Sequence, residues 1–140
     1  MEYLTIETKY AKKYGIKESI VLHTFIYFIL KNRHEKRNKH QGKYWTFNSY
    51  HNWKDNFPFF TEYQIRNAIR SLHKQGAIEI GNFNKKRYDK TNWYTISSEI
   101  LQEAQASDYW NTRIIKSISK GRDKNNKPIP YKDKIIIEPY

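Results

Sequence analysis

Residues 60–80 read FTEYQIRNAIRSLHKQGAIEI, and this stretch decides the fold. Thr61 and Gln64 have the T-x-x-Q spacing of a capping box, in which each side chain satisfies the other residue's backbone N–H at a helix start. Phe60 and Ile65 flank that start at the spacing of a hydrophobic staple. At about 100° per residue, Ile65, Ala68, Ile69 and Leu72 fall on one apolar stripe. Gly76 stands where a helix ends in a left-handed residue. Ile78 and Ile80 then alternate with polar neighbours, as a half-buried strand does. The stretch predicts a helix over Glu62–Gln75 and a strand over Ala77–Phe83.

The flanking sequence extends the pattern in both directions. Upstream, Ser49–Asn56 reads as a short helix with Ser49 as its N-cap and Tyr50, Trp53 and Phe57 as its apolar side; Phe57-Pro58-Phe59-Phe60 is the turn that follows. Tyr44–Phe47 reads as a short aromatic strand. Downstream, Asn84–Asn92 is a polar, basic loop, Trp93–Ile96 the return strand, and Ser98–Ala106 a short helix. Helix, turn, capped helix, strand, basic loop, strand is the order of a winged helix-turn-helix. The expected class is therefore α+β, with the winged-helix unit in residues 1–106 and a C-terminal extension in residues 107–140.

The N-terminal third supplies the core. Tyr3–Thr8 alternates weakly and suggests a short strand or an extended arm. Lys9–Tyr14 is a short helix closed by Gly15. Lys17–Asn32 is the strongest helix, and its middle, Ile20–Leu30, is apolar nearly all round, which places it in the centre of the core or against a second subunit. At 11 residues that run falls short of the about 20 that cross a bilayer. Arg33–Lys43 is charged, contains Gly42 and reads as a loop. In the extension, Asp108–Lys120 is helical, Gly121–Lys134 a Lys-, Asn- and Pro-containing loop, and Ile135–Ile137 the centre of a strand.

Charge narrows the function. The 140 residues carry 26 Lys and Arg against 14 Asp and Glu, a net charge of +12, which favours a polyanionic partner. There is no cysteine, so disulfides, thiolate zinc sites and cysteine nucleophiles are excluded. The N-terminus lacks the basic-then-apolar pattern of a signal peptide, and the expected location is cytoplasmic, with no membrane partner. The five His, at 23, 34, 40, 51 and 73, fit no metal-binding frame. His34 and His40 are expected to be solvated in the charged loop, and His23 to be a satisfied core or interface residue. No phosphate-binding glycine loop occurs. The chain is expected to be no enzyme and to need no metal or cofactor.

The candidate site has two parts. Opposite the apolar stripe, the helix presents Tyr63, Asn67, Arg70 and Lys74, with Arg66 on the flank. Arg matches the O6 and N7 of guanine and Asn the N6 and N7 of adenine, while Tyr and Lys suit phosphates. The loop adds Lys85, Lys86, Arg87 and Lys90 against a single Asp89, with Asn82, Asn84 and Asn92 as neutral hydrogen-bonding groups. A flexible basic tip of this kind reaches the DNA backbone or the adjacent minor groove. Solvated lysines on an ordinary helix and hairpin are the plain alternative for each part taken alone; their succession favours binding of double-stranded DNA.

From Ile16 to Ile96 the chain resembles the N-terminal winged-helix domain of phage and plasmid replication proteins, the replisome-organiser and DnaD-like group. The resemblance is carried by the helix Lys17–Asn32, by Gly42-Lys43-Tyr44-Trp45-Thr46-Phe47-Asn48, by Trp53-x-x-x-Phe57-Pro58-Phe59, by Ile65-x-x-x-Ile69-x-x-Leu72-x-x-x-Gly76-x-Ile78, and by Tyr88-Asp89-x-Thr91-x-Trp93-Tyr94. It implies sequence-specific DNA binding in replication initiation or its control, and self-association. Two other functions share the same architecture: a transcriptional repressor using the same site, and a winged-helix module that targets a host or phage protein. A homodimer is expected from the apolar helix and from Ile135–Ile137, and the extension is a candidate contact for a replication or host protein.

Overall fold

The structure, a computed structural model, describes residues 3–120. Six helices and five short strands are assigned among them. Residues 3–7 form no strand, and their apolar side chains Tyr3, Leu4 and Ile6 are exposed. Helix α1 (Thr8–Tyr14) ends at Gly15, which also begins α2 (Ile16–Glu35). One residue joins the two helices because Gly15 adopts φ 117° and ψ 157°, a region that is nearly closed to residues with a side chain.

Helix α2 is the axis of the molecule. Every residue from Phe25 to Asn32 is buried, and α1 together with later elements of both kinds packs around it. That explains the missing polar face: the apolar surface from Phe25 to Leu30 is covered within the chain itself. The helix continues beyond Asn32 to Glu35 and stops at Lys36 (φ 56°, ψ 44°), whose N–H turns back to the carbonyls of Arg33 and Asn32. Buried Asn32 then donates from Nδ2 to the Trp45 carbonyl at 2.7 Å, which ties the helix end to the chain that follows.

The expected loop over Arg33–Lys43 is largely ordered structure. Its start is the last turn of α2, and its remainder holds β1 (Lys39–His40), paired antiparallel with β2 (Lys43–Tyr44). Gln41 and Gly42 connect the strands at φ 53° and 74°, the positive values a two-residue hairpin turn needs at both central positions. The aromatic segment Tyr44–Phe47 is accordingly divided, and β3 (Thr46–Phe47) joins a second sheet.

That sheet has the order β3-β5-β4, with β4 at Ile78–Gly81 and β5 at Trp93–Ile96, all antiparallel. Alternation along β5 sends Tyr94 and Ile96 to one face and Trp93 and Thr95 to the other. Tyr94 stacks on Phe25 of α2 with ring centroids 5.1 Å apart. On the outer face, Trp93 meets Phe47 at 4.3 Å and His40 at 5.1 Å. The His40 ring lies 4.4 Å from that of Phe83 and nearly parallel to it. Thr95 Oγ1 donates to the Tyr44 carbonyl at 2.6 Å. The β1–β2 hairpin is thus folded over the back of the sheet, and all four residues of β5 are buried. His40, expected in solvent, is a stacked member of this layer, while His34 is exposed on the last turn of α2.

Four more helices complete the described residues: α3 (Tyr50–Trp53), α4 (Glu62–Lys74), α5 (Ser98–Gln105) and α6 (Asp108–Lys120). Ser49 and Ser97 cap α3 and α5 by accepting from Asn52 N and Ile100 N. Helix α6 packs on α2 through buried Trp110, whose ring lies 4.6 Å from that of His23; His23 Nε2 lies 2.9 Å from the Tyr109 hydroxyl. Burial, with nearby Arg113, pushes His23 down to about 3, so the ring is neutral near pH 7. Among the described residues no helix is long and apolar enough to cross a membrane. The expected loop Gly121–Lys134 and the strand around Ile135–Ile137 lie outside the described residues.

Candidate nucleic-acid interface

Helix α4 is fixed at both ends by its own sequence. The Thr61 N–H donates to Gln64 Oε1 at 2.9 Å, and the Gln64 N–H donates to Thr61 Oγ1 at 3.1 Å, which completes the capping box. At the other end Gly76 takes φ 79°. The Ala77 N–H reaches the Leu72 carbonyl at 2.9 Å and the Gly76 N–H the His73 carbonyl at 3.1 Å, the paired bonds of a Schellman stop. Between these ends Ile65, Ala68, Ile69 and Leu72 are buried, and α2 and α3 pack on the helix. Ordered packing on one face holds the other in a fixed orientation.

That outer face carries Tyr63, Asn67, Arg70 and Lys74, all exposed, with Tyr63 at 72%. The side chains of these four make no hydrogen bond or ion pair with another described residue. Arg66 differs from them. Its guanidinium sits 4.8 Å from the Tyr50 ring centroid and 3.9 Å from Glu62 Oε1, so it is half-buried and braces α4 against α3. Arg66, on the flank as its helical position requires, thus has partners within the protein while its side chain stays 43% exposed.

The loop between β4 and β5 is built on Asn84. Its Nδ2 donates to the carbonyls of Asp89 and Thr91 at 3.0 and 2.8 Å, and its Oδ1 accepts from Trp93 Nε1 at 2.8 Å. Asn82 Oδ1 accepts from the Asn84 N–H at 3.0 Å, and the Asp89 carboxylate from the Thr91 N–H at 3.0 Å. These bonds from Thr91 hold the Asp89 carboxyl below its ordinary value. Asn82, Asn84 and Asp89 therefore spend their polar atoms inside the loop, and the base of the expected flexible tip is hydrogen-bonded. Lys85, Lys86, Arg87 and Lys90 are left exposed around a turn closed by the Asp89 N–H and the Lys86 carbonyl at 3.1 Å.

Tyr88 stands in that turn, 75% exposed, with Lys86 Nζ 5.7 Å from its ring centroid. Sequence reasoning gave it no role at the site. Its neighbours in sequence, Lys85–Arg87 and Lys90, were the signal that it stands at a tip and not in the core. An exposed aromatic among cations offers a stacking or wedging surface beside phosphate contacts. Comparison with protein-family models, with curated proteins and with solved structures yields no match to this chain.

Proposed function

We propose that the chain is a winged-helix protein that binds double-stranded DNA, with α4 in the major groove and the 82–92 loop as the wing. The observation that carries this reading is the outer face of α4. It is a rigid, doubly capped helix that presents Asn67 and Arg70, the side chains suited to base edges, free of protein partners among the described residues. Supporting it, the chain runs α2, β3, α3, α4, β4, β5 with β5 between β3 and β4 in the sheet, the succession and pairing that a winged helix-turn-helix has. The loop at its end adds Lys85, Lys86, Arg87 and Lys90 for phosphates.

The resemblance of Ile16–Ile96 to phage and plasmid replication proteins supports a role in replication initiation or its control within a mobile element. Self-association now rests on Ile135–Ile137 and on that resemblance, because α2 buries its own apolar surface. The direct test is selection from a random duplex pool, followed by titration of the selected site at several salt concentrations. A slope of log K against log salt steeper than about −3 is expected, since each neutralised phosphate contributes about −0.9. A flat response, or no duplex binding at low salt, overturns the reading.

A further inference from the structure

A second basic feature lies at the end of β5 remote from the loop 82–92. A cavity of about 490 Å³ opens between the C-terminal end of α2, the β1–β2 hairpin and the start of α5. Its cationic side chains are Arg33, Lys36, Lys39 and Lys43, and no carboxylate lines it among the described residues. Cations gather at the α2 end partly because its terminal carbonyls favour them. Lys39 and Lys43 come from the hairpin, where that effect has no hold. Lys43 is paired with Glu79 at 2.6 Å, while Arg33, Lys36 and Lys39 have no carboxylate partner among the described residues.

Two properties distinguish this cavity from a scatter of surface lysines. Arg33 is held against α5: with the Gln105 amide in the orientation that satisfies both groups, its oxygen lies 3.0–3.1 Å from Nε, Nη1 and Nη2, over the face of the guanidinium. The walls are also amphipathic. Ile29, Tyr44, Ile96 and Leu101 give an apolar side to a space whose charged groups among the described residues are all cations, and Thr95 and Ser98 add hydroxyl-bearing residues. The volume lies within the about 300–1,000 Å³ of small-molecule sites, which combine an apolar lining with a few placed polar groups.

We propose that this cavity binds a nucleoside phosphate, its base against the apolar wall and its phosphates among Arg33, Lys36 and Lys39. The nucleotide is either free or the end of a strand; both present the same chemistry. The site is separate from α4 and from the loop 82–92, and the proposal does not rest on duplex recognition.

Amide chemical-shift mapping of the full chain tests it, with adenosine, AMP, ATP, inorganic phosphate and a 5′-phosphorylated tetranucleotide as probes. Saturable shifts at Gly42, Thr95 and Ser98 are expected in the millimolar range or below, with ATP tighter than AMP. The double variant Lys36→Gln/Lys39→Gln should weaken ATP by about tenfold or more, because two charge-assisted contacts are lost. The triple variant Lys85→Ala/Lys86→Ala/Arg87→Ala should bind ATP like the parent. Both cavity lysines are exposed, so folding is preserved, and circular dichroism checks this. Tighter binding of ATP than of the tetranucleotide assigns the site to a free nucleotide; the reverse assigns it to a strand end. Shifts confined to residues 82–92, adenosine or inorganic phosphate binding as tightly as ATP, or no saturation would each overturn the proposal. Loss of duplex binding in the triple variant alone bears on the DNA reading and leaves this one intact.

Discussion

Helix α4 and the loop 82–92 each present exposed cations, but they are held in place by different means. The outer face of α4 is oriented by four apolar residues buried behind it and by hydrogen bonds at both ends. The loop buries little at its tip and is held from below, mainly through one side chain, Asn84. Packing spreads the load over many contacts; a single polar hub concentrates it. The helix should therefore fail only with the fold, whereas the loop can be loosened alone.

The largest effect is expected from Ile69→Ala. Ile69 is fully buried, and truncation at such a site costs about 2–5 kcal/mol. Chemical denaturation should show that loss, and duplex binding should fall with the folded fraction. If the variant keeps its stability yet loses binding, packing is not what orients the helix. Asn84→Ala comes next. Three hydrogen bonds disappear and Trp93 Nε1 is left without its acceptor, for about 2 kcal/mol. Amide exchange should quicken at Thr91 and stay unchanged at Ile69, and affinity should fall on all duplexes alike. Equal acceleration at both positions would erase the contrast between the regions.

Substitutions at the surface sharpen the comparison without disturbing stability. Arg70→Ala or Asn67→Ala should cost about 1–3 kcal/mol on the selected site and little on scrambled duplexes. Should both variants bind every duplex like the parent, α4 is not the reader, and the protein-targeting alternative gains. Replacing Lys85, Lys86 or Arg87 singly should weaken all sequences equally and reduce the salt slope by about one unit. Neither set should move thermal unfolding appreciably, since exposed changes usually fall within about 0.5 kcal/mol.

The smallest effect is a pH response confined to the loop. Asp89 is held below its ordinary value of 3.8 by its bonds from Thr91. A carboxylate with a depressed folded value stabilises fully above the ordinary one and ceases to do so as pH falls through the folded one. The Thr91 amide resonance should therefore change below about pH 3.8 while the Ile69 amide does not, and Asp89→Asn should abolish the change. A Thr91 resonance that stays constant to low pH would remove Asp89 from the scaffold.

What the sequence disclosed follows the same division. The capping box, the apolar stripe and Gly76 are local signals within one helix, so α4 was legible to within a residue at its C-terminal end. The strands β4 and β5 were legible from alternation and aromatic content. The scaffold under the loop was not, because Asn84 and Trp93 meet across nine positions and nothing in their spacing announces it. The hairpin β1–β2 escaped for a related reason. Its strands are two residues long, too short for any period, and its placement depends on His40 meeting Phe83 far along the chain. The contact of Arg66 with Tyr50 was not legible, because a position on the flank of α4 leaves the side chain's orientation to a residue of another helix.

The arrangement around Asn84 also bears on how such a protein diversifies. Shape at the base is specified by Asn84, Asp89, Thr91 and Trp93, while Lys85–Tyr88 and Lys90 carry charge and aromatic surface without being required for that shape. Mutations in the tip are thereby decoupled from the cost of refolding. A lineage carrying this loop can explore new contacts one residue at a time, and a designer can randomise the same positions as a cassette while the four residues beneath stay constant.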